Sequence, residues 1–346
     1  MHLYDVWFVL IAVLWIGYFV LEGFDFGVGM LIRLIGRDET EHRVVLNTVG
    51  PLWDGNEVWL LTAGGATFAA FPDWYATLFS GFYLPLLLIL LALIVRGVAF
   101  EYRGKRHDPV WRRNWDVCLF VGSAVPALLW GVAFANIVRG VPIDAAKGYT
   151  GGFFNLLNPY ALLGGLTTLS VFLLHGALFV SLKTDGPVRV RAHRLAGQLF
   201  LVATPVAASF LVWTLFQRWS PWSAAAAALA AAALLGAAAV HVRGRDGWGF
   251  ALSAAAITST VASLFLALYP AVMPSSTNPD FDLTVSNASS SPYTLGVMSW
   301  VALLGVPVVL SYQAWSFWVF RKRLGTGDIP AATERALPRE RVSSSR

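Results

Sequence analysis

The sequence predicts an all-α polytopic membrane protein with nine transmembrane helices. Three observations carry that expectation. Of 346 residues, 57% are hydrophobic and only 13% charged, about half the roughly 25% charge of a soluble domain. Apolar stretches long enough for a spanning helix, about 20 residues, recur along the chain, and mean hydropathy is +0.62. The basic residues fall in alternate connections, as orientation by positive charge requires.

The spans are expected near 6–32, 54–71, 74–98, 115–138, 159–181, 195–217, 222–242, 248–270 and 294–320. The first opens at Val6 and reads as a retained helix. MHLYDVWF lacks a basic n-region, and the run ends in acids, not at a small-residue cleavage site. Spans two and three meet at Pro72-Asp73, and six and seven between Arg218 and Pro221. The seventh is mostly alanine over Ala224–Ala233, a weakly specified span.

With an outside N-terminus, every Lys and Arg except Arg139, Lys147 and Arg218 falls on the cytoplasmic side. The net charge of +5 therefore reads as orientation signal, and no nucleic-acid partner is expected. Residues 1–323 form one integral membrane domain. Residues 324–346 are polar and Pro-containing and read as a disordered cytoplasmic tail. The single cysteine, Cys118, leaves no internal disulfide and no Cys-based metal or iron–sulfur site.

The chemistry-bearing residues are acids at membrane depth. Glu22 and Asp25 share one face of span one, and a carboxylate there costs about 2.5–3.5 kcal/mol on insertion scales. Asp54 and Glu57 open span two; Arg96 and Glu101 end span three. Chains of such acids form proton relays. The competing structural reading is that Arg96 pairs with Glu22 or Asp25 and locks three helices together. Gly23 and Gly27, and likewise Gly64 and Gly65, permit close helix approach. Trp53, Trp59, Trp74 and Trp300 read as interface anchors, with Trp53 the best candidate to stack on a quinone headgroup.

Haem needs axial His, Met, Cys or Tyr. Of six histidines only His175 and His241 lie in or near a span, so no haem and no metal ligation are expected in this chain. His175 reads as a hydrogen-bonded packing residue. Gly27-Val28-Gly29 is followed by Ile32, so the dinucleotide fingerprint fails.

Several of these runs together are distinctive. Glu22-Gly23-Phe24-Asp25-Phe26-Gly27-Val28-Gly29 and Trp53-Asp54-Gly55-Asn56-Glu57-Val58-Trp59 closely resemble subunit II of the cytochrome bd quinol oxidases. So do Leu61-Thr62-Ala63-Gly64-Gly65-Ala66, Phe79-Ser80-Gly81-Phe82-Tyr83, Arg96-Gly97-Val98-Ala99-Phe100-Glu101-Tyr102-Arg103, Leu157-Asn158-Pro159 and the segment Tyr269 to Thr277. The resemblance runs from residue 1 to about 320 and thins over 185–255.

The resemblance implies nine helices as two four-helix bundles plus one peripheral helix, in a bacterial cell membrane. It implies a partner, subunit I, that carries haems b and d and oxidises quinol, with small accessory subunits as further candidate partners. No catalytic residue is expected in this chain. Asp54 and Glu101, assisted by Asp25, would form a cytoplasmic proton path; Glu22, Glu57 and Arg96 would be supporting polar residues. A structural quinone near Trp53 and Glu57 is also implied. Glu57 stands where the family often has Gln, and Glu101 where Asp is common. The Ala- and Arg-rich composition points toward menaquinol. The rival readings are a structural scaffold and a secondary transporter. The transporter would place its site in two matching halves, whereas these acids cluster in the first third.

Overall fold

The computed structural model describes residues 2–329. The architecture is helical throughout, apart from one short hairpin on the loop side. Eleven α-helices run in chain order: α1 (Leu3–Ile35), α2 (Glu39–Val49), α3 (Trp53–Ala70), α4 (Pro72–Gly81), α5 (Tyr83–Tyr102), α6 (Pro109–Arg139), α7 (Pro159–Lys183), α8 (Gly186–Gln217), α9 (Pro221–Val242), α10 (Asp246–Leu268) and α11 (Pro292–Val319). Eight of these segments are long and apolar enough to cross a membrane.

The expected second span is α3, and its 18 residues reach about 27 Å. It is not among the eight, because Asp54, Asn56, Glu57 and its Gly and Thr residues dilute its apolar character. The expected third span is broken into α4 and α5. Pro85 has no N–H to donate back to Gly81, and its ring would clash with that carbonyl, so α4 ends at Gly81 and a new helix starts at Tyr83. Interior prolines 126, 205 and 307 do not break their helices, as buried membrane helices tolerate when neighbours satisfy the freed carbonyl.

The helix α2 was not anticipated in the first connection. Asp38 caps it, its carboxylate accepting from the Glu41 N–H at 2.9 Å. Glu41 is ion-paired at 2.5 Å with Arg191 of α8 and accepts from the Arg37 N–H at 2.7 Å. Burial alone would raise its pKa, but these partners outweigh it and hold the carboxyl below its usual range.

Two apolar cores stack along the helix axes. One gathers the first half of α1 with α4, the later half of α6, the start of α7 and the end of α10. The other gathers the second half of α1 with α2, the later half of α7, and α8, α9 and α10. α1 and α7 approach at backbone contact: a Cβ on Gly27 would meet the Gly176 Cα at 2.8 Å, and one on Gly23 the Phe172 ring at 2.7 Å. Gly23 and Gly27 thus act as expected. Gly64 and Gly65 face no neighbouring helix among the described residues: a Cβ added at either would meet nothing within 4 Å, and both line a cleft.

On the loop side, β1 (Ala271–Met273) pairs antiparallel with β2 (Leu283–Thr284). Lys147 holds this side together through Asp73 at 2.6 Å and the Asn287 carbonyl at 3.0 Å. The expected tail boundary at Leu324 needs correction. Leu324 donates to the Lys183 carbonyl at 2.8 Å and accepts from the Asp185 N–H at 3.0 Å. Ile329 is buried in the second core. Backbone pairing and apolar burial therefore dock 324–329, and the rest of that expectation lies outside the described residues.

Gly176→Leu should lower the thermal midpoint by several degrees, since overpacking costs about 1–3 kcal/mol. Gly236→Ala, whose added Cβ would meet only Leu252 at 3.5 Å, should leave it unchanged. Heating the purified variants checks both. The Glu41 contribution is present above the ordinary carboxylate pKa of about 4.3 and is lost as pH falls through the depressed folded value. Glu41→Gln should therefore flatten the acid limb of a stability–pH profile and leave the alkaline limb unmoved.

Candidate proton-handling site

The site is assembled from α1, α3, α5 and α11. Glu22 and Asp25 lie one turn apart on α1, and both are fully buried. Arg96 reaches them from α5 and ion-pairs with Glu22 through Nη1 and Oε1, with neither side chain exposed. Its guanidinium also lies over three aromatic rings, 5.0 Å from the Phe26 centroid, 5.3 Å from Phe100 and 6.0 Å from Trp53. Such cation–π contacts recover part of the lost hydration.

Asp25 is held differently. Its Oδ2 accepts from Asn56 Nδ2 at 2.7 Å, and Asn56 Oδ1 accepts from Gln313 Nε2 at 2.8 Å. This amide relay ties α1 to α3 and α11. Sequence reasoning quoted Asn56 within its motif without giving it a role, and it overlooked Gln313. A signal existed for Gln313: a lone amide inside the apolar run Pro307 to Trp318.

Between Asp54 and Glu57, the residue that turns inward is Asn56. Asp54 is exposed and accepts only from the Gly55 N–H, at 2.7 Å; Glu57 is half-buried. Glu101 is exposed at the end of α5. The structure thus brings Glu22, Asp25 and Arg96 together and leaves Asp54 and Glu101 on the outer surface. That surface is otherwise apolar, with Val58, Leu61, Leu90 and Ile94 more than half exposed.

Four buried atoms in the cluster have no hydrogen-bond partner among the described residues: Glu22 Oε2, Asp25 Oδ1, Arg96 Nε and Arg96 Nη2. An unsatisfied buried polar group costs about 1–3 kcal/mol. Each acid thus keeps one carboxylate oxygen unengaged by any described residue.

Trp53 is half-buried, and its indole stacks on Phe100 at 4.9 Å and 16°. One turn beyond Glu57, Leu60 and Leu61 enter a cleft of about 460 Å³ between α3, α4, α5 and α6, walled by Phe68, Trp74 and Trp130. Neither Trp53 nor Glu57 lines that cleft. His175 behaves as expected of a packing residue. Its Nδ1 is 2.7 Å from Ser253 Oγ, its Nε2 3.2 Å from the Val20 carbonyl, and it stacks on Phe250 at 4.5 Å.

A chain with eight helices long and apolar enough to cross a membrane, and an acid–arginine pair buried among them, is an integral membrane protein. The family model for cytochrome bd terminal oxidase subunit II matches residues 3–320, and the chain belongs to that family. It is 45% identical over 327 residues to the cytochrome bd ubiquinol oxidase subunit 2 of Bacillus subtilis, covering 93% of this chain and 97% of that one. Identity to the cytochrome bd-I ubiquinol oxidase subunit 2 of Escherichia coli K12 is 37% over 366 residues, covering 95% and 97%. A chain of the bd oxidase from Geobacillus thermodenitrificans superposes with a TM-score of 0.68 at 11% identity, covering 92% of this chain and all of that one. That last likeness establishes the fold alone.

Arg96→Met should destabilise the protein by about 3–5 kcal/mol, because it strands a buried carboxylate. The double variant Glu22→Gln/Arg96→Met should recover most of the loss. Thermal unfolding of the three proteins checks the order; equal losses in single and double variants would contradict it.

Proposed function

We propose that this chain is the haem-free subunit II of a cytochrome bd quinol:O2 oxidoreductase in the bacterial cell membrane. It stabilises a haem-bearing subunit I and supplies cytoplasmic protons for reduction of O2 to water. The observation that carries this reading is the pairing of two features. Asp54 and Glu101 lie exposed on an apolar face of α3 and α5, and behind that face lies the closed cluster of Glu22, Asp25 and Arg96. An exposed carboxylate within membrane depth needs a partner surface or water. A haem subunit seated on this face would provide the first and enclose the second.

In this reading protons enter from the cytoplasm at Asp54 and Glu101, and Asp25 assists through Asn56. Arg96 fixes Glu22, and the amide relay to Gln313 keeps Asp25 oriented. The haems, held in the partner, would supply the electron transfer to O2, so no catalytic centre is placed in this chain. The α3 helix is the ninth span, completing two four-helix bundles and one peripheral helix, with the N-terminus outside and the C-terminal end cytoplasmic. Confinement of all but three basic residues to one side supports that orientation. A structural quinone with its headgroup near Trp53 and Glu57 would find room for an isoprenoid tail in the adjoining cleft, which begins one turn further along α3.

One observation favours the scaffold reading: the Glu22–Arg96 ion pair by itself joins α1 to α5. Asp54→Asn separates the two. The expected outcome is slowed O2 consumption by the assembled complex, with haem content and visible spectrum unchanged. Loss of haem d from the complex would decide for the scaffold. The chain purified alone should show no Soret band.

A further inference from the structure

A second cluster of titratable side chains lies far from the acids of α1 and α3, where α8, α9 and α10 meet. His193 belongs to α8, His241 to the last turn of α9, and Asp246 opens α10. The connection between α9 and α10 is short, and Gly244 takes φ +70° within it, a conformation that suits glycine. The turn folds His241 back beside Asp246. One ligand atom from each of the three residues lies within 4.8 Å of the others.

The contacts within the cluster are specific. His193 Nδ1 is 3.1 Å from Asp246 Oδ1. Arg189 donates to the other oxygen, Oδ2, through Nε at 3.0 Å and Nη2 at 2.7 Å. The two imidazoles stack with centroids 3.9 Å apart and planes 27° apart. Asp246 is 3% and His241 4% exposed, and His241 Nδ1 has no hydrogen-bond partner among the described residues. The His193 side chain remains 35% exposed.

We propose that His193, His241 and Asp246 form a binding site for a divalent transition-metal ion of the Zn2+ type, which clamps α8, α9 and α10 together. Two imidazoles and one carboxylate are a donor set for Zn2+, Cu2+ or Ni2+ and a poor one for Mg2+ or Ca2+, which favour oxygen. Bonds of about 2.0–2.1 Å at tetrahedral angles put ligand atoms roughly 3.3 Å apart. The His193–Asp246 pair already sits near that spacing. His193 has the exposure to rotate, and rotation closes the remaining gap and turns its in-plane lone pair toward the one on His241. The ion takes the place of the Nδ1 proton between His193 and Asp246; that proton is exchanged through solvent onto Nε2, so His193 binds as a neutral imidazole. Water takes the fourth position. Arg189 orients the carboxylate from behind, as outer partners of metal ligands do, while its positive charge weakens the ion's hold and makes the site exchangeable.

No metal ligation is expected from the sequence; only the tight α9–α10 turn and the packing of α8 against it bring the donors together. The test uses the full complex in detergent, stripped by chelator, equilibrated with Zn2+ and freed of excess. Zinc per chain is then counted by mass spectrometry, and zinc K-edge X-ray absorption reads the ligands. The expected result is one equivalent more zinc in the parent than in His241→Ala or His193→Ala, with an imidazole-containing nitrogen/oxygen shell at about 2.0–2.1 Å. Equal zinc in parent and variants, or a parent shell without imidazole, would overturn the proposal. Should the buried His241→Ala fail to assemble, His193→Ala, at the more open position, decides by itself.

Discussion

The structure around the candidate site depends on one buried ion pair. Arg96 and Glu22 are both sealed from solvent, and neither could remain charged there unpaired. That constraint sets the distance between α1 and α5 and the position of Phe26 and Phe100 against the guanidinium. It also places Asp25, one turn along, where Arg96 is already engaged. Asp25 must then find its hydrogen bond elsewhere, and it finds it in Asn56. The two acids of one helical face so acquire different partners: Glu22 an arginine, Asp25 an amide.

Around this centre the chain divides its labour. The two stacked cores hold α1, α6, α7 and α10 rigidly, and α1 and α7 approach through Gly27 and Gly176 at backbone contact. By contrast, α11 has one buried residue, Leu295, and much of α3 and α5 faces outward. A rigid half thus supports an apolar half that has surface to offer a partner, and the exposed carboxylates of Asp54 and Glu101 lie on it. The aromatic cleft between α4 and α6 opens in the same half. Packing on one side and exposure on the other suit a subunit built to be completed by a neighbour.

Much of this was legible in the residues. The spans follow from runs of apolar side chains, whose burial in lipid needs no knowledge of neighbours. Arg96 as the counter-charge of the α1 acids followed from the cost of leaving either alone. The WDGNE segment was legible as polar, but not which of its residues faces inward. Asn56 is buried while Asp54 is exposed, because the register of α3 against α1 selects one helical face. Pro85 lies inside the expected third span, 74–98, and its effect there depends on the Gly81 carbonyl behind it. Gly64 and Gly65 look like packing glycines in the sequence and line open space in the fold.

By itself, then, the sequence determined that the chain is an integral membrane protein, where most of its long apolar helices run and which ionisable groups must find partners. Those properties are local, or follow from the energy of putting a charge into hydrocarbon. Tertiary structure alone decided that Gln313 joins the relay to Asp25, that residues 324–329 dock against the α7–α8 connection, and that His193, His241 and Asp246 converge. Each joins side chains distant along the chain, and helix rotation and register, set by packing between neighbours, fix which of them meet.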